Sequence, residues 1–313
     1  MRITFLGTGA GIPTRERNVS SVAVRLSQSA ETWLFDCGEG TQHRIIESDV
    51  RLGQITRIFI SHLHGDHLFG LPGLLSTCWM NGPEKMIEVC GPQSVRSYLE
   101  QALLRSGTGF AYPARIREIA PWETIMYGDI TLTAAPLAHR IETFGYRIEE
   151  KQRSGRFDVE RARELGVPPG PLYGRLKEGG SITLEDGRVV DGRELCGPPR
   201  PGRSIVYCCD TIYTPDAVEL ARGADLLIHE ATFSNRDTDL AEQRGHSTTG
   251  MAARVAAEAG VGRLVITHIS PRYSPLGETG PAELLREARE IFPDTEIAHD
   301  LMTLEIPPRP PSP

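Results

Sequence analysis

Ser61-His62-Leu63-His64-Gly65-Asp66-His67 gathers three of the chain's nine histidines and an aspartate into seven residues. Imidazole nitrogen and carboxylate oxygen are the ligands of catalytic zinc, which keeps an open position for water. On an extended segment His62 and His64 project the same way, and Asp66 and His67 then turn toward an adjacent point. A competing reading makes these histidines caps of the following helix. Three more residues of ligand type close apolar runs: His139 in Pro136-Leu137-Ala138-His139, Asp210 after Ile205-Val206-Tyr207-Cys208-Cys209, and His268 after Leu264-Val265-Ile266-Thr267. Singly, each could be a satisfied polar residue at a strand end. Beside the histidine cluster, the better reading is His62, His64 and His139 on one zinc, Asp66, His67 and His268 on a second, and Asp210 bridging. A hydroxide shared by ions about 3.5–4 Å apart is a strong nucleophile at neutral pH, and the metals stabilise charge building on a phosphoryl oxygen.

Departure of the leaving group from a phosphodiester needs a proton, which imidazole can supply near pH 7. His246, held and kept protonated by Glu230, is the candidate: His229-Glu230-Ala231-Thr232 closes a strand and His246-Ser247-Thr248 opens a helix. Ser247 or Thr248 simply capping that helix, with His246 exposed, is the alternative.

Alternating strands and helices must position these groups. Strands are predicted at Arg2–Leu6, Val22–Leu26, Thr32–Asp36, Arg57–Ser61, Ile130–Ala135, Phe144–Ile148, Ser204–Asp210, Asp225–His229 and Leu264–His268. Helices are predicted at Gly40–Ser48, Leu68–Thr77, Gln93–Leu104, Pro215–Ala221, Thr248–Ala259 and Pro281–Ile291. This α/β alternation suggests layered sheets covered by helices, with sites at strand ends. From Lys151 to Pro201 the sequence turns Gly- and Pro-rich, and reads as an insertion projecting from the core rather than a second globular domain. Residues 151–177 hold seven basic side chains (Lys151, Arg153, Arg156, Arg161, Arg163, Arg175, Lys177) against three acidic ones, a local excess of four positive charges in a chain of net charge −7. The proline-rich end, Pro307–Pro313, reads as a disordered tail. Apolar residues are 39% and charged ones 24%, ordinary for a soluble globular protein. No run reaches the length of a membrane helix, no leader segment opens the chain, and six cysteines form no disulfide framework, so a cytoplasmic protein is expected.

Taken together these residues resemble the metallo-β-lactamase fold, and within it the ribonuclease Z family of tRNA 3′-processing endonucleases. The histidine cluster is shared across that superfamily, with lactamases, thioesterases and other hydrolases. More specific are Phe35-Asp36-Cys37-Gly38-Glu39-Gly40-Thr41-Gln42, His229-Glu230-Ala231-Thr232, His246-Ser247-Thr248 and His268-Ile269-Ser270-Pro271-Arg272-Tyr273, and the likeness runs from Met1 to about Leu304. The resemblance implies an αββα sandwich over residues 1–306 carrying a flexible arm at 150–201 whose Gly170-Pro171 motif clamps the tRNA body. It also implies two zinc ions per subunit, Asp66 as proton acceptor as well as ligand, and a homodimer in which one subunit's arm serves the other's active site. Arg175 and Lys177 of the arm would grip phosphates without reading bases. Arg15 and Arg17 of Pro13-Thr14-Arg15-Glu16-Arg17-Asn18, with Arg272, would meet the 3′ end; relatives often carry lysine where Arg15 stands, which changes the hydrogen-bonding fork. The expected reaction is zinc-dependent removal of the 3′ trailer from precursor tRNA, leaving a tRNA 3′-hydroxyl and a 5′-phosphorylated trailer. A hydrolase of small phosphodiesters or other esters is the alternative, and would make the arm dispensable. A metal-poor RNA-binding scaffold would have lost ligands, and all seven are present.

Overall fold

The computed structural model describes residues 1–81, 86–107, 114–273 and 280–309. Its first half runs β1 (Arg2–Gly7), β2 (Ser21–Arg25), β3 (Thr32–Phe35), α1 (Thr41–Glu47), β4 (Ile55–Phe59), α2 (Gly65–Leu68), α3 (Leu71–Met80), β5 (Ile87–Gly91), α4 (Val95–Arg105) and β6 (Ala114–Glu118). There follow β7 (Glu123–Tyr127), β8 (Ile130–Pro136), β9 (Phe144–Glu150), α5 (Val159–Glu164), α6 (Pro171–Lys177), β10 (Ser181–Thr183) and β11 (Val189–Asp191). The remainder is β12 (Ser204–Cys208), α7 (Pro215–Ala221), β13 (Leu226–Glu230), α8 (Thr238–Arg244), α9 (Thr249–Ala259), β14 (Leu264–Thr267), α10 (Pro281–Ile291), β15 (Thr295–Ile297) and β16 (Thr303–Glu305).

Two seven-stranded sheets form, in the orders β16-β1-β2-β3-β4-β5-β6 and β15-β14-β13-β12-β9-β8-β7. Period-two alternation sends neighbouring side chains to opposite faces. In β3 and β4, Trp33, Phe35 and Phe59 point inward, where Phe35 and Phe59 stack at 5.2 Å and meet Tyr146 of β9 and Tyr207 of β12 from the other sheet. Leu34 and Ile58 point outward, onto Ile45, Leu71, Leu74 and Leu99 of α1, α3 and α4. On the opposite side Val206, Leu227, Leu264 and Ile266 pack against Ala217, Leu220, Ala252 and Ala256 of α7 and α9. The result is the helix–sheet–sheet–helix sandwich expected from the sequence.

Contacts divide the chain into two compact units. Met1–Tyr127, Thr131–Ile148 and Ser204–Ile306 make the sandwich, and Glu149–Arg203 with Gly128–Ile130 make the second. That second unit has more structure than its glycines and prolines suggest. α5, α6 and the β10–β11 hairpin close around Ala162, Val167, Leu176, Ile182, Val190 and Leu195, all buried. At its stem Arg153 and Arg200 exchange backbone hydrogen bonds, and the buried Arg203 guanidinium donates to both Glu150 oxygens at 2.6 and 2.7 Å. Tail residues 310–313 lie outside the described residues.

Candidate metal centre

None of the seven predicted ligands stands on a strand. β4 ends at Phe59, not at Ser61 as the sequence suggested, and Ile60–His64 continues as loop. Tyr146 Oη and the Phe144 N–H, from the facing sheet, donate to the Ile60 and Ser61 carbonyls and fix its course. His64 occupies the N-cap position of α2 with no side-chain cap hydrogen bond, so the capping reading fails for it, and α2 presents Asp66 and His67. His139 lies three residues past β8, on a loop held by Ala138 N–H to Thr211 Oγ1 and by Ile212 N–H to the Ala138 carbonyl. Asp210 follows β12 by two residues and His268 follows β14 directly, at φ +58°, a left-handed conformation that costs a non-glycine residue about 1–3 kcal/mol.

All seven sequence-predicted ligands converge here. His62, His64, His139 and Asp210 offer atoms within 4.8 Å of one another, and so do His67, Asp210 and His268 together with Cys209. Asp210 divides between the two groups. Its Oδ2 faces His62 Nε2 at 3.4 Å and His139 Nε2 at 3.8 Å, while its Oδ1 faces His67 Nε2 at 3.3 Å and His268 Nε2 at 3.2 Å. Asp66 Oδ2 stands 3.3 and 3.4 Å from the same two nitrogens. His67 Nε2 is buried without a hydrogen-bond partner despite this company. Buried polar atoms are normally satisfied, so donors spaced like this fit a shared cation better than each other. The second nitrogen of four of these rings is occupied: His62 Nδ1 by Ser61 Oγ (2.9 Å), His67 Nδ1 by Asp36 Oδ2 (2.8 Å), His139 Nδ1 by the Gly245 carbonyl (2.6 Å) and His268 Nδ1 by Thr232 Oγ1 (2.8 Å). Such partners fix the rotamer and tautomer of a metal-binding imidazole. Asp36, at the heart of the Phe35–Gln42 motif, also accepts from Ser61 N–H and Tyr207 Oη.

Electrostatics point the same way. Burial pushes His62, His64 and His139 toward the neutral form that ligates metal, His64 down to about 4, with the neighbouring histidines adding to the effect there. Burial alone would raise the carboxyls of Asp66 and Asp210, but the surrounding histidines hold both well below the usual carboxylate range. His67 resists its burial because Asp210, Asp36 and Asp66 favour positive charge at that ring, charge that a cation at Nε2 would supply. Cys209 contacts the Nδ1 side of His67 at 3.7 Å, the side already taken by Asp36.

His246 Nδ1 lies 2.9 Å from Glu230 Oε1. Burial works against its proton, yet the Glu230 charge and hydrogen bond outweigh it and push the pKa up to about 9. Glu230 is itself fixed by the N–H groups of Thr211 and Thr232. Thr248 does cap α9, accepting from Met251 N–H, but His246 is not exposed as the capping alternative required: its side chain is 15% exposed and held by Glu230.

Above the centre opens a cleft of about 470 Å³ walled by Phe233, Leu240, Arg140, Arg244 and Arg272. Arg272 donates to Asp237 Oδ1 at 3.3 Å and lies over the Phe233 ring. Arg140 and Arg244 escaped the sequence reading, although Arg140 adjoins the ligand His139. Of the two loop arginines, Arg15 is exposed, whereas Arg17 donates to Thr8 Oγ1 and the Ala298 carbonyl, both at 2.6 Å, and so anchors its loop. Gly170, Pro171, Arg175 and Lys177 belong to the second unit, where Pro171 starts α6 and all four are exposed.

Comparison with known proteins agrees with this architecture. Residues 1–139 match the family described as anti-Pycsar protein Apyc1, and residues 197–269 match the β-lactamase superfamily domain. A ribonuclease Z of Nostoc sp. strain PCC 7120 is 55% identical over 309 residues, 99% of this chain and 96% of that protein. A ribonuclease Z of Prochlorococcus marinus strain MIT 9313 is 53% identical, covering 99% of each. The crystal structure of human tRNase Z, short form, superposes with a TM-score of 0.70 at 31% identity, over 98% of this chain and 100% of that one.

Proposed function

This chain belongs to the ribonuclease Z family, and from that membership we propose how its centre cuts RNA. It is an endoribonuclease of tRNA 3′-end processing, and precursor tRNA is its substrate. Zinc is the metal proposed, two ions per subunit, with the first held by His62, His64 and His139, the second by Asp66, His67 and His268, and Asp210 between them. What carries this reading is the division of the Asp210 carboxylate, one oxygen toward each histidine group. Donors about 2.0–2.1 Å from a common tetrahedral zinc stand about 3.3–3.4 Å from each other, the spacing found around Asp210 and Asp66. When bound, the two ions supply an activated water near neutral pH and offset negative charge on the phosphoryl group.

The protein's own groups do the rest. Asp66, whose Oδ2 accepts the Gly11 N–H at 2.9 Å, is placed to take the proton as attack begins. His246 carries a proton against Glu230 through Nδ1, which leaves Nε2 to deliver one to the departing 3′-oxygen. The P–O3′ bond breaks, so the tRNA keeps a 3′-hydroxyl and the trailer a 5′-phosphate. Arg140, Arg244 and Arg272 give the cleft the positive wall that a phosphate chain requires, which an overall charge of −7 conceals. The exposed Arg175 and Lys177 of the second unit are the proposed remote grip on the tRNA body, with Gly170-Pro171 at the head of their helix.

A homodimer is supported by apolar side chains left exposed around α1 and α3, which Thr77 and Gln42 join: Ile46, Phe69, Trp79 and Met80. Sedimentation at twice 34.4 kDa is the measurement that decides it. Among the described residues no helix is long and apolar enough to cross a membrane. Six free cysteines, five of them buried, support a reducing, cytoplasmic setting.

The test is direct. His64→Ala and Asp210→Ala proteins should stay folded, bind less zinc and lose cleavage of a precursor tRNA. Full activity in either would remove the two-zinc assignment.

A further inference from the structure

Asp300 lies far from the ligand motifs in sequence, in Ala298-His299-Asp300-Leu301, and no chemistry draws attention to it there. In the fold its side chain is 5% exposed and holds both ends of the loop that follows β1. Oδ1 accepts from Thr8 Oγ1 at 2.7 Å, where that loop leaves the strand. Oδ2 accepts the Asn18 N–H at 2.7 Å, where the loop returns, and Arg44 Nη2 at 2.5 Å. Arg17 completes the clamp by donating to Thr8 Oγ1 and to the Ala298 carbonyl. Within the loop Gly9 N–H reaches the Asn18 carbonyl and Thr14 N–H the Arg17 carbonyl, so its shape depends on the ends being drawn together.

The loop meets the centre at two points. Thr8 and Ala10 exchange backbone hydrogen bonds with Ile269, the residue after the ligand His268. Gly11 N–H donates to Asp66 Oδ2. A carboxylate that must ligate and take a proton is sensitive to its orientation, and that orientation is set partly by one backbone donor on this loop.

We infer that Asp300 is a positioning residue for the reaction: by tying Thr8 to Asn18 it sets the loop whose Gly11 N–H aims the Asp66 carboxylate. The inference rests on the metal-centre reading above, since it acts through Asp66. A displaced donor costs turnover rather than metal, because His67, His268 and Asp210 still hold the second site.

Asp300→Asn keeps the shape but loses the charge that faces Arg17 and Arg44 and one of the acceptors. The experiment compares kcat, KM and zinc content of wild type, Asp300→Asn, Thr8→Val and His64→Ala on precursor tRNA and on bis(p-nitrophenyl) phosphate. The expected result for Asp300→Asn is a fall in kcat of about tenfold or more on both substrates, since small misplacements of reacting groups carry such factors. KM for the small diester and zinc per chain should not change, a split that general loosening of the fold would not give. Should Asp300→Asn fail to fold, Thr8→Val, which leaves the carboxylate charged with its bonds to Asn18 and Arg44 and removes those of Thr8 Oγ1 to Asp300 and Arg17, must show the same split to a smaller degree. Wild-type kcat in the Asp300 and Thr8 variants, or a fall that tracks lost zinc, overturns the inference while an inactive His64→Ala leaves the metal centre standing. Activity in His64→Ala would instead remove the premise, and the inference with it.

Discussion

Burial and charge pull the His246 imidazole in opposite directions, and Glu230 decides the outcome. An acid that protonates a leaving group works below its pKa, so the rate should fall as pH rises through that value. That value is about 9 for the protein without metal; cations in the proposed centre would oppose the proton and put the falling limb at or below pH 9. Glu230→Gln removes the favourable charge, and an adjacent opposite charge is worth about 1–3 pKa units. The alkaline limb of the kcat profile should therefore move to lower pH by about that much. An unmoved limb would mean that some other group supplies the proton. His246 and Glu230 were legible as a pair because each closes or opens an element beside the ligands, and His139, Asp210 and His268 because each ends an apolar run. The arginines were harder. Arg17 and Arg15 share one loop and one chemistry, yet Arg17 turns inward to Thr8 and Ala298 while Arg15 stays exposed, a choice made in part by a carbonyl 281 residues away in sequence. Arg140, on a loop, and Arg244, the last residue of α8, gave no periodic signal, and became part of the cleft only through the fold.

At the scale of elements, the centre depends on how closely the turn after β3 approaches α2. Cys37 N–H donates to the His67 carbonyl and Gly70 N–H to the Cys37 carbonyl. A Cβ on Gly38 would come within 2.3 Å of the Asp66 carbonyl oxygen and 2.7 Å of Val19, so no side chain fits between these segments. Gly38→Ala should then cost about 1–3 kcal/mol, as overpacking does, and push the Asp66–His67 turn outward. Thermal unfolding should show the loss, and zinc titration a weakened second site beside an unaltered first. A variant as stable and as zinc-competent as wild type would show that the turn can yield. Elements with buried, unbroken apolar runs, such as β12, β13 and β14, were readable because parallel strands covered on both faces carry no polar alternation. β6 and β7 were missed because the partly exposed residues of Ala114–Glu118 and Glu123–Tyr127 mix charged and apolar types as a surface loop would. The histidine motif was assigned to a strand end, but the strand stops at Phe59. What aims His62 and His64 is the hydrogen bonding of Ile60 and Ser61 to the facing sheet, a long-range contact that local pattern cannot carry.

For the whole molecule the division into two units separates the proposed metal centre from the proposed grip on tRNA. All seven proposed ligands, His246 and the cleft arginines lie in the sandwich, while Glu149–Arg203 has its own small core and none of these residues. The second unit looked like loop because its six buried apolar residues are scattered over 162–195, two of them on three-residue strands too short to show a period. Its excess of positive charge was legible, and the proposed grip on tRNA rests on the family resemblance. Removal of residues 155–195 spares the stem, where Arg153 pairs with Arg200 and Glu150 with Arg203, so the ends left behind remain close enough to be joined by a short linker. Phosphate contacts far from the scissile bond strengthen binding of a large RNA and give nothing to a small diester. The shortened chain should hydrolyse bis(p-nitrophenyl) phosphate much as before and bind the same zinc, but lose precursor tRNA cleavage chiefly through KM, with a shallower dependence of KM on salt. Equal losses on both substrates would place the second unit in the service of the fold. Undiminished tRNA cleavage would favour a small-diester hydrolase whose arm is dispensable.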